Sequence, residues 1–165
     1  MPISSQKFRD CLSLLPAGVT IVTVKSGKRQ HGLTVSAFAS VSPKPPLVMV
    51  VIDQRHRGHE LLLEPGATFA VNILARDQTD LSNRFAWLKD EDRFAAGDWG
   101  TATTGAPILQ DALAWLDCTI EASYPAGDHT IFIGLVQAAE TPRPGQAPLV
   151  YWNRGYRHLS LIEEE

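Results

Sequence analysis

The chain has 165 residues, of which 44% are hydrophobic and 20% are charged, which excludes a disordered or fibrous protein. This length suits one domain with a real core, and we predict a single domain over residues 1–165. The formal net charge of −3 disfavours nucleic acid as a partner, because a phosphate backbone selects a strongly basic surface.

Two further features bear on location and on cysteine chemistry. The N-terminus lacks the layout of a signal peptide, and the longest apolar run, residues 47–52, is too short to cross a bilayer. We therefore expect a cytoplasmic protein with no membrane partner. Cys11 and Cys118 are far apart and form no metal-binding or redox pair, so we predict both as small core residues.

Residues 5–15 predict a short amphipathic helix, since their apolar side chains recur at helical spacing. Ser4 or Ser5 is the candidate N-cap, and Pro16 stops the helix. We expect the apolar face of this helix to pack on another element of the chain.

A hairpin follows the helix. Residues 19–24 predict its first strand and residues 26–28 its turn, so the second strand begins at Gln30. Continued through residues 32–42, that strand would place only apolar side chains on one face and mostly hydroxyls on the other. A row of small hydroxyls leaves a bound phosphate or flat polar ring close to backbone N–H donors. The alternative is an ordinary half-buried strand whose polar face meets water.

A strand and a basic turn come next. Residues 47–52 are continuously apolar and predict a strand buried on both faces. Residues 53–59 are polar and basic and precede a short apolar helix, a position where anions are often held. Either Arg55, His56 or Arg57 contacts a phosphate, or the segment is a solvated charged loop.

Residues 69–74 predict another strand, in which Asn72 must find hydrogen-bond partners if it is buried. Asp77 is the candidate cap of a helix with three apolar residues on one face and Arg84 near its middle. These three residues are Leu81, Phe85 and Leu88. Residues 90–107 show no clear period and predict a long loop, either functional or packed by its own side chains.

The last third of the chain predicts only strands. Residues 114–122 show the alternation of side chains that is typical of a strand, and residues 130–138 predict another strand after a turn. Residues 149–152 and 157–161 predict a closing hairpin. The chain thus has seven or eight strands, a few short helices and no β-α-β alternation. Antiparallel strands in this number stack as a sandwich or close into a barrel, and we favour a barrel because closure removes exposed edges.

Common enzyme signatures are missing from the sequence. It contains no Gly-x-Gly, no Gly-Lys-Ser/Thr loop, no Gly-x-Ser-x-Gly elbow and no His-Glu-x-x-His. No pair of carboxylates stands out as an acid and a base. The protein is therefore either a binding module or an enzyme whose cofactor performs the difficult step.

Five blocks together carry a resemblance to a known family. In chain order they are residues 16–23, 32–48, 69–74, 81–86 and 126–134. Their content and order resemble the flavin reductase-like, FMN-binding split-barrel family over nearly the whole chain. The resemblance implies a mainly β fold, namely an antiparallel Greek-key split β-barrel with a few short peripheral helices, and a homodimer.

The resemblance also implies a site. The family's flavin-lining stretch matches Thr34, Val35, Ser36, Ala37 and Ser40. Its phosphate-side loop matches Asp53, Arg55, His56 and Arg57. The Arg-Phe pair that borders the flavin matches Arg84 and Phe85, and the Gly-Asp-His associated with the nicotinamide cofactor matches Gly127, Asp128 and His129.

The chain departs from the family pattern in the phosphate-side loop. The family usually shows Asn followed shortly by Ser residues, whereas this chain has Asp53 and, at the Ser positions, Arg55 and His56. Either charge serves where hydroxyls normally do, or the affinity for flavin is altered.

The implied activity is hydride transfer from NADH or NADPH to FMN or FAD, and reduced flavin would then pass to a partner flavin-dependent monooxygenase. His129 would be the catalytic residue that orients the nicotinamide dinucleotide, while Asp128 fixes the turn. Direct hydride transfer needs apposition and exclusion of water and no side-chain base. The competing hypothesis is a flavin-binding carrier, sensor or electron-transfer protein without nicotinamide turnover. An oxidase of a phosphorylated vitamin is disfavoured by the Gly-Asp-His block.

Overall fold

The computed structural model of the chain describes residues 1–89 and 92–159. Within these ranges the α-helices are α1 (Ser5–Leu12), α2 (Arg57–Leu62) and α3 (Thr79–Trp87), and a 3-10 helix covers Arg93–Ala95. None of them is long and apolar enough to span a bilayer. The strands are β1 (Ala17–Gly18), β2 (Thr20–Ser26), β3 (Arg29–Val35), β4 (Phe38–Pro43), β5 (Pro46–Asp53), β6 (Thr68–Ile73), β7 (Trp99–Thr101), β8 (Pro107–Leu109), β9 (Ala114–Ala126), β10 (His129–Glu140), β11 (Val150–Trp152) and β12 (Gly155–Arg157).

The mainly β, antiparallel class is confirmed, and one sheet dominates it. Seven strands pair in the order β3-β2-β6-β9-β10-β5-β4, so β3 and β4 lie at its two ends. Only residues 36 and 37 separate these two strands in the chain. A flat sheet of this width would hold its end strands about 28 Å apart, whereas three Cα steps cover at most about 11 Å. The sheet must therefore curl until its ends meet.

We call the line along which β3 (Arg29–Val35) and β4 (Phe38–Pro43) lie side by side the seam. No ladder joins β3 to β4 within the described ranges, so the curled sheet is open there. Both strands present a backbone edge at the seam that no neighbouring strand of the sheet uses. Such an edge can bind a ligand through N–H and C=O groups.

The inner face of the curled sheet holds the main core. Apolar side chains from six strands pack there, and α2 adds Leu61 and Leu62. A Cβ on Gly134 of β10 would lie 2.4 Å from Phe69 Cζ, so only glycine lets the strand pass this ring. The inward strand residues are Val22, Val24, Leu33, Val35, Val48, Val50, Ile52, Phe69, Val71, Cys118 and Phe132.

The prediction that residues 47–52 are buried on both faces is wrong. Burial alternates along β5, where Val48, Val50 and Ile52 are buried and the residues between them are partly exposed. A continuous apolar run indicates two covered faces, but it does not say what covers the second. The outer face of β5 is therefore an apolar surface of the single chain.

α3 and the segment that follows it cover a second core. Phe85 of α3 is completely buried and packs against Phe94 and Trp99, with ring centroids 5.3 Å away in each case. The predicted helix is thus confirmed. Asp77 does not cap it, because the N-cap is Gln78 and Asp77 forms an ion pair with Arg143 at 2.7 Å instead.

The segment predicted as a long loop contains regular structure in its described part. It holds the 3-10 helix and β7, which pairs with β8. Residues 90 and 91 lie outside the described residues. The closing hairpin is also confirmed, although its second strand begins earlier than predicted, at Gly155, and residues 160 and 161 lie outside the described residues. Its turn places Asn153 and Arg154 at φ values of 47° and 59°.

α1 forms as predicted but does not bury its apolar face. Ser4 Oγ accepts a hydrogen bond from the Lys7 N–H at 3.2 Å, which confirms the N-cap. No residue of α1 is buried, and Phe8 is 55% exposed. The helix is tied to the body through its end, where Trp152 Nε1 donates to the Leu14 carbonyl at 3.0 Å.

The two cysteines differ in their surroundings. Cys118 is buried as predicted, and burial raises the pKa of its thiol to about 12. A thiol that stays protonated is not a nucleophile at neutral pH. Cys11 is exposed on α1, so its assignment to the core is wrong.

Asn72 has the partners that its buried position requires. Its Nδ2 donates to the Ile21 carbonyl at 3.0 Å, and its Oδ1 accepts from the Leu109 N–H at 2.8 Å. The side chain therefore ties β6 to β2 on one side and to β8 on the other.

Asn72→Leu should lower the free energy of unfolding by roughly 1–3 kcal/mol, because the Leu109 N–H would remain buried without an acceptor. Urea denaturation followed by fluorescence measures this change. Gln146→Leu in an exposed loop is the control, with a change under about 0.5 kcal/mol. Equal midpoints for the Asn72 variant and the wild type would contradict the bridging role.

Candidate functional site

The seam is built from residues 32–42, the stretch with alternating hydroxyls, but as two strands rather than one. β3 ends at Val35 and β4 begins at Phe38. The predicted alternation holds on β3, where Leu33 and Val35 are buried. It fails on β4, where Val41 is 48% exposed, because a bulge between residues 40 and 42 shifts the register.

The break between the strands presents the predicted flavin-lining residues. Thr34 is half-buried and its Oγ1 donates to the Ser82 carbonyl of α3 at 2.6 Å. Ser36 and Ala37 are exposed at the break, and Ser40 is exposed on β4. Small exposed side chains leave the backbone accessible to a ligand.

A cavity of about 340 Å³, the first cavity, opens between the end of β3, α3 and the closing hairpin. Thr34 lines it at the end of β3 and Ser36 in the break that follows. Trp87 lines it on α3, and Tyr151 and Tyr156 line it on the hairpin. Trp87 is 77% exposed, which is unusual for so large an apolar ring. Hydroxyls together with aromatic rings suit a flat ligand with polar edges.

A second cavity, of about 440 Å³, lies beside the turn between β5 and α2. Among the described residues that line it, six are basic and one, Asp92, is acidic. The four Arg and Lys side chains outnumber Asp92. This excess of positive charge favours an anion such as a phosphate. The basic residues are His31, Arg55, His56, Arg57, Lys89 and Arg93.

Arg93 is held in place by backbone carbonyls. Its Nη1 donates to Gly32 at 2.6 Å and to Phe85 at 2.9 Å, and its Nε donates to Leu88 at 2.8 Å. These bonds join the segment after α3 to β3. They also fix a guanidinium charge at the wall of the second cavity.

His31 and His56 both have lowered pKa values beside these cations. Burial, together with the charges of Arg93, His56 and Arg57, lowers the pKa of His31 to about 4. Burial and Arg93 also lower the pKa of His56. The rings of the two histidines lie 5.3 Å apart, and His31 Nε2 is buried without a hydrogen-bond partner among the described residues.

Asp53 forms an ion pair with Arg55. Asp53 Oδ1 accepts from the Arg55 N–H at 2.9 Å, and Asp53 Oδ2 accepts from Arg55 Nη2 at 2.6 Å. These bonds hold the pKa of Asp53 well below its usual range. The departure from the family pattern thus consists of a local ion pair. Among the described residues, Arg57 and Lys89 form no salt bridge.

The Gly-Asp-His turn lies directly beside the basic turn. His129 pairs with Asp53 in the ladder between β10 and β5. Gln54 links the two turns, since its Nε2 donates to the His129 carbonyl at 3.0 Å and its N–H donates to the Asp128 carbonyl at 3.0 Å. Gly127 has a φ of +64°, which the tight turn requires. Two motifs about 70 residues apart in the sequence therefore form one surface.

Three predicted site residues do not present free side chains. Val35 points into the core, and Phe85 is completely buried. Arg84 donates to the Arg93 carbonyl at 2.9 Å and to the Asp92 carbonyl at 2.6 Å. In this structure Arg84 and Phe85 position the segment that carries Arg93.

Several residues that line the cavities were not expected from the sequence. Among them are His31, Trp87, Lys89 and Arg93. They come from β3, from the end of α3 and from the segment after it, and no local pattern links these segments.

The curled sheet, the hydroxyl-lined seam and the adjoining basic cavity together suit a flat ligand with an anionic group. The family is also clear from comparison: the profile of the flavin reductase like domain matches residues 12–160, and the chain belongs to this family.

Individual relatives cover most of the chain. It is 40% identical over 153 residues to the actinorhodin polyketide dimerase of Streptomyces coelicolor. This alignment covers 92% of this chain and 85% of that protein. It is 39% identical over 155 residues to the reductase component of an FADH(2)-dependent resorcinol hydroxylase of Rhizobium sp., with coverages of 92% and 85%.

A solved structure shares the whole fold. The NADH:FAD oxidoreductase of Streptomyces globisporus C-1027, in complex with NAD and FAD fragments, matches with a TM-score of 0.88 at 32% identity. The match covers 99% of this chain and 100% of that chain.

The lowered pKa of His31 predicts an acid-sensitive fold. Between about pH 4 and its ordinary pKa of 6.5, the unfolded chain binds a proton at His31 that the folded protein does not. The free energy of unfolding therefore falls as the pH falls through this window. His31→Gln should lose less stability than the wild type when the pH is lowered from 7 to 5, as measured by urea denaturation.

The matched control for this prediction is His158→Gln, because His158 is exposed. It should keep the wild-type loss of stability in acid. Parallel losses for the wild type and both variants would contradict the assignment to His31.

Proposed function

We propose that the protein is an NAD(P)H:flavin oxidoreductase, an enzyme that transfers hydride from NADH or NADPH to FMN or FAD. One observation carries the proposal: the Gly-Asp-His turn and the basic turn form one surface, through the pairing of His129 with Asp53 and the hydrogen bonds of Gln54. Membership of the family supports it. So does the likeness to an NADH:FAD oxidoreductase.

The residues present fit a flavin. The second cavity supplies the cations that a phosphate needs, with Arg57 and Lys89 in its lining. The seam supplies small hydroxyl residues, Thr34 and Ser36, and an exposed backbone for the ring. β3 borders both cavities, so one ligand could use both ends of this strand.

His129 is the residue proposed to meet the nicotinamide dinucleotide. Asp128 Oδ1 lies 2.6 Å from His129 Nδ1, which holds the ring by one nitrogen and leaves Nε2 for a ligand. Flavin, when bound, supplies the hydride acceptor. The chain then has to orient the two rings and exclude water, for which no acid and base pair is required.

The reduced flavin is proposed to serve a partner monooxygenase. The relative from Rhizobium is named as the reductase component of a hydroxylase, which supports a two-component system. Consumption of NADH and delivery to such a partner favour a cytoplasmic location.

We also propose that the curled sheet is the Greek-key split barrel of the family and that two chains pair through its outer face. Across β5 and β10, Val51 pairs with Ile131, Met49 with Ile133 and Leu47 with Leu135. All of these are partly exposed, and they alternate with buried residues that point inward. A continuous apolar band on the outside of a sheet is typical of a subunit interface.

The activity is tested by mixing the protein with FMN or FAD without oxygen and adding NADH or NADPH. The visible flavin band should bleach with at least one pair. His129→Ala should raise the KM for the nicotinamide dinucleotide about tenfold, which corresponds to one lost hydrogen bond to a charged group. His158→Ala is the matched control and should behave as the wild type.

A flavin band that stays unbleached with every pair, while the protein retains flavin, would favour the carrier hypothesis instead. An unchanged KM in His129→Ala would remove His129 from the proposed site.

The dimer is tested by sedimentation. The wild type should sediment at twice the 18.1 kDa of one chain, and Ile133→Lys should shift it towards the monomer because a charge would be buried in the interface. Leu63→Lys, on the exposed end of α2, is the control and should leave the dimer intact. A wild-type monomer at micromolar concentration would contradict the proposal.

A further inference from the structure

His59 is a buried polar residue that the proposed reaction does not use directly. It lies in α2 and is 8% exposed, and its Nε2 is 2.8 Å from Thr130 Oγ1. Its ring also meets the edge of Phe132, with centroids 5.7 Å apart. Thr130 is 3% exposed, so the contact is enclosed within apolar surroundings. An enclosed polar contact holds its two elements in a defined relation, because either partner alone would lack a hydrogen bond.

The contact between His59 and Thr130 joins the two halves of the candidate site. α2 starts directly after the basic turn, with His56 as its N-cap, and His59 lies one turn further along. Thr130 directly follows His129 at the start of β10. The contact therefore connects the helix behind the second cavity to the strand that carries His129.

The two sides of β10 are held by different groups. Neighbouring side chains of a strand point to opposite faces, so Thr130 points inward while the His129 side chain is 41% exposed. On the outer side, Asp128 holds the His129 ring, and Gln54 donates to the His129 carbonyl. On the inner side, His59 holds the strand at the next residue.

We propose that His59 is a positioning residue for hydride transfer: by holding Thr130, it fixes the direction in which His129 leaves the end of β10. The inference rests on the proposed role of His129 toward the nicotinamide dinucleotide. Loss of the contact frees the inner side of the strand end, and His129 then spends less time in the binding geometry. A small displacement of an orienting group is costly because transfer depends on alignment.

The test removes the contact from the Thr130 side. Thr130→Val keeps the shape and deletes the hydroxyl, and it should raise the KM for NADH about threefold to tenfold, the value of one hydrogen bond. The KM for flavin should change by less than about twofold. Thr130→Ser keeps the hydroxyl, and His59→Gln keeps a polar group near the position of Nε2. Both should stay near the wild type.

A double-mutant cycle separates positioning from stability. In the His129→Ala background, Thr130→Val should raise the KM for NADH no further, because the residue through which it acts is gone. Its effect on the melting temperature should be the same in both backgrounds. The same rise in KM in both backgrounds, or a rise confined to the flavin KM, would overturn the inference.

A readout without turnover distinguishes a failure of the positioning role from a failure of the proposed function. NMR spectra report the chemical shift of the His129 Cε1–H proton, which can be compared directly between the wild type and the variants. It should move in Thr130→Val and stay in place in Thr130→Ser. A wild type that fails to bleach flavin would refute the proposed function, whereas an unmoved His129 resonance would refute the positioning role.

Discussion

The two-residue connection between β3 and β4 is the constraint on which the rest of the structure depends. It joins strands from opposite ends of a seven-stranded sheet, so the sheet has to curl. Curling encloses the main core on the inner face and brings two unpaired edges together at the seam. The connection itself consists of Ser36 and Ala37, whose small side chains leave the backbone open. The element that shapes the fold therefore also forms the wall of the candidate site.

The electrostatics of the second cavity follow from burial. Arg93 is fixed by three backbone carbonyls, and burial together with its charge lowers the pKa values of His31 and His56. Asp53 neutralises Arg55 locally, so the family's hydroxyls are replaced by an ion pair at the outer edge of the turn. The second cavity is therefore lined by positive charge, although the formal net charge of the whole chain is −3. A local potential of this kind attracts an anion without making the whole surface basic.

Individual elements show where reasoning from the sequence succeeds. α1, α3 and the closing hairpin form where spacing and turn residues predict them, and Asn72 has the partners that a buried amide needs. The predictions that failed are those about which surface covers an apolar side chain. Cys11 and the apolar face of α1 are exposed, and the outer face of β5 is only partly covered. An apolar pattern predicts that a face prefers to be covered, and the covering surface belongs to another part of the chain or to another molecule.

The sequence by itself determined the mainly β class, most strand positions and the motifs at residues 53–57 and 127–129, because these depend on local spacing and on residue type. Only the tertiary structure decided that Asp53 pairs with His129 and that His31 and Arg93 line one cavity. It also decided that the Phe85 side chain is completely buried and packs against Phe94 and Trp99. The physical reason is that these relations arise when a curled sheet brings distant segments together, and side-chain burial is set by that closure rather than by neighbours in the chain.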